Sequence, residues 1–142
     1  MQLSSHFSLD EFTHSQTAIR IGVENDPPLE ILPNLKRTAK GLESVRELLG
    51  GLPIHISSGY RNPIVNNMIG SKPTSQHLLG QAVDFTCPAF GTPAKIMRII
   101  ANSGIEYDQC ILEFDVWVHI SFTDKPRKQA LVIDKTGARA YA

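Results

Sequence analysis

The chain has 142 residues, 42% hydrophobic and 20% charged, which suits one domain with one core and is short for two. Its 14 basic and 14 acidic side chains cancel, so no long-range field favours nucleic acid or an anionic membrane surface, and partners should be recognised locally. The opening Met-Gln-Leu-Ser-Ser-His-Phe-Ser lacks the basic start and apolar run of a secretory signal, and no stretch nears the ~20 apolar residues of a membrane span; a soluble chain, made without its own export signal, is expected.

Ser8-Leu9-Asp10-Glu11 has the form of a capping box and, with Phe12 following, predicts a short N-terminal helix. Residues 15 to 33 are polar and carry Pro27, Pro28 and Pro33, which predicts an extended connection along the surface. From about Pro33 or Asn34 to Leu49, the apolar positions Leu35, Ala39, Leu42, Val45, Leu48 and Leu49 keep helical spacing, and Gly50-Gly51 supplies the stop. Residues 53 to 58 alternate as a strand does, with Ile54 and Ile56 on one face.

Asn62-Pro63 should start a short helix that Gly70 ends, and a loop follows over 70 to 76. Residues 82 to 86 read as a buried strand, and Thr92-Pro93 opens a helix whose Ile96, Ile99 and Ile100 face the core before Gly104. Three strands are expected at about 108 to 114, 117 to 122 and 130 to 134, then a Lys135-Thr136-Gly137 turn into a short tail. The order of elements predicts one α+β domain over residues 1–142, with a small antiparallel sheet packed against helices.

Cys87 and Cys110 are too few for a thiolate metal site and lie next to no histidine, so both are expected to be buried free thiols. His6, His14 and His55 are candidates for surface roles or for support of a site elsewhere. Lys125, Arg127 and Lys128 form a basic patch, expected to be a solvated turn before it is a contact for anionic polymer.

The chemistry concentrates in Ser75-Gln76-His77-Leu78-Leu79-Gly80-Gln81-Ala82-Val83-Asp84 and in Trp117-Val118-His119. Two imidazoles and a carboxylate form a ligand set that can hold Zn²⁺ and leave a fourth position for water. A turn at Leu79-Gly80-Gln81 would bring His77 back toward Asp84, because glycine tolerates the reversal. A carboxylate in an otherwise apolar strand is costly unless paired or metal-bound. Isolated histidines in strands are nonetheless more often hydrogen-bonded core residues than ligands, and spacing alone does not decide between the two.

Ser57-Ser58-Gly59-Tyr60-Arg61-Asn62-Pro63, then Ser75-x-His77-x-x-Gly80-x-Ala82-x-Asp84, then Trp117-Val118-His119 resemble the family of zinc D-Ala-D-Ala carboxypeptidases and peptidoglycan endopeptidases, in particular its small phage and prophage members. His6-Phe7-Ser8-x-x-Glu11 and the Ser15 to Asn25 stretch extend the resemblance toward the N-terminus. It implies a hedgehog/DD-peptidase-like fold, with His77, Asp84 and His119 as the three ligands of a catalytic Zn²⁺. It also implies peptidoglycan stem peptides as substrate, a monomeric enzyme, and action on the bacterial wall after release from the cell where it is made.

A carboxylate should carry the proton from water to the leaving amine. Several members of the family place that acid three residues before the last histidine, where this chain has Val116. Glu113 and Asp115 are the remaining candidates; in a regular strand both share a face with His119, and Glu113 is preferred for its reach. A bulge or turn between Phe114 and Trp117 would break that parity. The resemblance further implies that Arg61 binds substrate or steadies the oxyanion, and that Ser75 contacts substrate; Tyr60 is either a pocket wall or a packing residue. The rival reading is a non-catalytic zinc-binding module on the same fold, which the valine at position 116 keeps open.

Overall fold

A computed structural model describes residues 1–142 and packs the two longest helices against one face of a six-stranded sheet. Helix α1 (Leu9–Thr13) begins with the expected capping box: the Ser8 hydroxyl accepts from Glu11 N at 3.2 Å, and the Glu11 carboxylate accepts from Ser8 N at 3.1 Å. Helix α3 (Leu32–Leu48) buries the expected Leu35, Ala39, Leu42 and Val45, and also Thr38, which the apolar spacing did not include; Leu48 is half-buried. Strand β1 (His55–Ser58) leads to α4 (Pro63–Ile69), capped by Asn62, whose Oδ1 accepts from Val65 N at 2.8 Å. A 3₁₀ turn (Gln76–Leu79), β2 (Ala82–Thr86), α5 (Pro93–Ala101), β3 (Gln109–Glu113) and β4 (Trp117–Ser121) follow, and β5 (Gln129–Asp134) and β6 (Gly137–Ala140) complete the sheet.

Three expectations need correction. Residues 15 to 33 are not simply extended: α2 (Gln16–Ile21) and a 3₁₀ turn (Leu29–Ile31) lie within them. Ser15 caps α2 by accepting from Ala18 N, and Gly22 ends it at φ 73°, a start and stop pair overshadowed by the nearby prolines. The sheet, in order β1-β2-β4-β3-β5-β6, is antiparallel except where β3 runs parallel to β5. The tail beyond the Lys135-Thr136-Gly137 turn is itself a strand, β6, paired antiparallel to β5.

Strand alternation separates the two faces of the sheet. Val83 and Phe85 of β2, Cys110 and Leu112 of β3, and Val118 and Ile120 of β4 join the buried sides of α3 and α5 in one apolar cluster. Each such side chain contributes about 1.5–3 kcal/mol when fully buried. The intervening residues Asp84, Ile111, Glu113, Trp117 and His119 therefore project to the other face. Cross-strand pairing sets Asp84 opposite His119, His119 opposite Ile111, and Glu113 opposite Trp117, so the polar members of this group share one side. Both cysteines are buried and unbridged, as expected. No helix is long and apolar enough to cross a membrane.

Candidate metal centre

His77 is delivered by the 3₁₀ turn. Ser75 caps that turn by accepting from His77 N at 3.3 Å, and Gly80 ends it at φ 70°. Helix α3 holds the turn from behind: Thr38 Oγ1 donates to Gly80 O at 2.7 Å, and Asn34 Nδ2 donates to Leu79 O at 3.0 Å. A Cβ on Gly80 would lie 2.7 Å from Ile31 Cγ2, so the close approach needs glycine as much as the reversal does.

His77 Nδ1 lies 2.7 Å from Gly59 O. A carbonyl only accepts, so Nδ1 carries the proton, and the lone pair of Nε2 faces Asp84 Oδ1 at 3.3 Å. His119 Nδ1 is 2.9 Å from the same carboxylate oxygen. The three residues are buried, and their ligand atoms all lie within 4.8 Å of one another. Bonds of about 2.0–2.1 Å to a tetrahedral zinc would set its ligands roughly 3.3 Å apart, close to the two spacings to Asp84. A neutral imidazole lone pair pointing at a buried carboxylate oxygen is repulsive unless a proton or a metal cation lies between them, and the donor set fits Zn²⁺.

The electrostatics agree with that reading. Burial pushes the His77 imidazolium down, against the attraction of Asp84, which favours the neutral ring that a metal requires. Burial alone would raise the Asp84 carboxyl, but positive charge at the His77 and His119 rings, which protons supply in the metal-free site and a metal would supply when the rings are neutral, holds it well below the ordinary carboxylate range. Arg61 Nη2 stands 3.5 Å from Asp84 Oδ2, and its Nε donates to Ser58 Oγ at 3.1 Å. Burial lowers the Arg61 pKa while Asp84 and Glu113 raise it, and a guanidinium remains charged in any case.

Of the two candidate acids, Glu113 lies beside the cluster, with Oε1 3.7 Å from His119 Nδ1. Burial and then the negative Asp84 push its carboxyl above the ordinary value. Asp115 does not share a continuous strand with His119: a turn intervenes, with Phe114 at φ 55° and Asp115 at φ 57°, and Asp115 is exposed at its tip. The regular-strand parity is therefore wrong, yet Glu113 shares His119's face for another reason, the cross-strand pairing of β3 with β4.

Ser75 is half-buried, and Tyr60 is buried in the core cluster while bordering the same small surface pocket as Ser75, Pro63 and Leu78. His14 and His55 are exposed, and His6 pairs with Glu43 at 2.7 Å on the surface. Arg127 is committed to Asp108, whereas Lys125 and Lys128 are solvated. A surface cavity of about 750 Å³ between α3 and residues 103 to 106 contains none of the metal-centre residues. Sequence reading gave no role to Ser58 or Gly59, although both stand in the Ser57-Ser58-Gly59-Tyr60-Arg61 motif; a glycine two residues before an arginine was the available signal.

A family model described as Peptidase M15 matches residues 5–121. The chain belongs to the Peptidase M15 family. The matched region runs from the residues before α1 to the end of β4 and includes Arg61, His77, Asp84, Glu113 and His119. No curated protein matches the chain significantly. Membership makes it a metallopeptidase by family, with zinc the typical metal and a peptidoglycan-type substrate implied.

Proposed function

We propose that this M15 chain, a single domain over residues 1–142, is a zinc peptidase that hydrolyses amide bonds in peptidoglycan stem peptides, as a D-Ala-D-Ala carboxypeptidase or an endolysin-type endopeptidase. His77, Asp84 and His119 would hold the metal. The observation that carries the reading is the convergence of three buried ligand atoms in which the His77 lone pair faces the Asp84 carboxylate, with a cation and a second acid on the same side. When bound, zinc would acidify water and polarise the amide carbonyl.

Glu113 accepts the proton of the attacking water and returns it to the departing amine nitrogen. Its raised carboxyl pKa suits an acid that must both take and give a proton. Arg61 contributes a fixed positive charge toward the oxygen that becomes anionic, and a lost donor at such a position typically costs about 3 kcal/mol. Ser75 and Tyr60 border one pocket, which no metal-centre residue lines, next to the 3₁₀ turn, and their substrate contact rests on the resemblance. Asp115, exposed at its turn, is left outside the proton transfer.

The test is turnover of purified peptidoglycan and of a stem pentapeptide ending in D-Ala-D-Ala by the zinc-loaded protein, with products identified by mass spectrometry. Cleavage that stops with chelator, returns with zinc and is absent from His77→Ala is expected. Release of D-alanine would define a carboxypeptidase, and opened crosslinks an endopeptidase. Tight zinc binding without turnover of either substrate would favour the non-catalytic module instead.

A further inference from the structure

The segment Gly59–Asn62 serves the site twice. Gly59 O holds the His77 ring, and Arg61 stands against Asp84. One buried side chain from a distant part of the sequence grips that segment: Asn25, 9% exposed, in the irregular stretch between α2 and the Leu29–Ile31 turn. Its Nδ2 donates to Tyr60 O at 2.9 Å and to Thr13 O at 2.8 Å, and its Oδ1 accepts from Asn62 N at 2.9 Å. Two carbonyls on one side and an N–H on the other fix which end of the amide is nitrogen.

Tyr60 O belongs to the peptide plane before the Arg61 Cα, and Asn62 N to the plane after it. The orientations of those two planes are the φ and ψ of Arg61, and they set the direction in which its side chain leaves the backbone. We propose that Asn25 is a positioning residue for Arg61, clamping both flanking peptide groups so that the guanidinium is held at the metal centre. The inference rests on the role given to Arg61 above. Only a short neutral amide meets the pattern: aspartate has no donor for the two carbonyls, and glutamine is a methylene too long.

The clamp is not what closes the segment onto the fold. Tyr60 N donates to Phe12 O at 2.7 Å, and Asn62 Nδ2 donates to Glu24 O at 2.6 Å, both independently of the Asn25 side chain. The Tyr60–Arg61 peptide keeps a second hold, Arg61 N donating to His77 O at 3.2 Å, whereas the partner of Asn62 N is Asn25 Oδ1, so loss of the Asn25 amide chiefly frees the peptide after Arg61 and loosens its aim while the segment stays attached. Misplacement of a positioning group by about 1 Å can cost on the order of a hundredfold in rate.

The experiment is a double-mutant cycle, with kcat/KM measured on the stem pentapeptide and on purified peptidoglycan for wild type, Asn25→Asp, Asn25→Ala, Arg61→Ala and the doubles. Each Asn25 variant should lose about tenfold or more in the wild-type background and less than about twofold further once Arg61 is alanine. Equal fold-losses in both backgrounds would overturn the proposal, leaving Asn25 a general support. If Arg61→Ala keeps full activity, the catalytic role of Arg61 fails, and the clamp is decided by a second readout, the Arg61 Nε–H resonance of the metal-free protein. That signal should move toward the free-arginine position in both Asn25 variants; an unchanged signal would overturn the proposal. So would loss of the fold in both variants, since Asn25 would then hold the chain together and not the arginine.

Discussion

Replacing Glu113 by glutamine separates proton transfer from metal binding. The substitution keeps the side chain's shape and removes its basic oxygen. The carboxylate approaches His119 Nδ1 at 3.7 Å but lies outside the group of mutually close ligand atoms formed by His77, Asp84 and His119. Zinc affinity should therefore change by less than about threefold, well short of the tenfold or more that follows loss of even a supporting partner of a ligand. General acid–base catalysis is worth roughly 10²–10⁴ in rate, or about 3–5 kcal/mol of barrier, so kcat should fall by at least a hundredfold with KM little altered. The assay is steady-state cleavage of the stem pentapeptide beside a chelator-competition titration of zinc. A variant with near wild-type kcat would refute the assignment and return attention to Asp115; a large drop in zinc affinity would make Glu113 a ligand.

Three further outcomes follow from the structure. The Asp108 carboxyl is held down at about 2, chiefly by the hydrogen bonds of Arg127 and also by Gln76, against an unfolded value near 3.9. Because the folded value is the lower one, the stabilisation is present above about pH 4 and lost as pH falls toward 2; Asp108→Asn should cost about 1–2 kcal/mol at neutral pH, allowing for solvent screening at the 57% exposed Arg127 side chain, and the gap in melting temperature should close with acid. Gly41→Ala should destabilise by about 1–3 kcal/mol, seen as an earlier urea midpoint, since the new Cβ would meet the Phe122 ring at 2.5 Å. Cys87 and Cys110 should resist alkylation in the native protein and react only on unfolding, because both are fully buried and burial pushes the Cys110 thiol up.

His77 and Asp84 stood out locally, through Gly80 to reverse the chain and an acid in an apolar strand, but spacing alone left the metal set open, and the resemblance joined His119 to them. The α+β class and most elements followed from periodicity, and the Asn62-Pro63 and Thr92-Pro93 starts were marked by their caps. What depended on pairing across the chain was not legible. The parallel neighbourhood of β3 and β5 is written in no single segment. Phe114 and Asp115 adopt left-handed backbone without a glycine to announce it, so the hairpin that places Glu113 was open to misreading as one strand. Asn25 was hidden for the same reason: all three of its partners are backbone groups, two of them more than thirty residues away, and backbone groups leave no trace in side-chain identity.

The most direct measurement is a calorimetric zinc titration of the metal-free protein, wild type against His77→Ala and His119→Ala. The metal-centre assignment predicts one zinc per chain in wild type and affinity reduced by at least a hundredfold in each variant, with all three proteins folded. Wild type that binds no zinc, or alanine variants that bind it as tightly as wild type, would contradict the assignment.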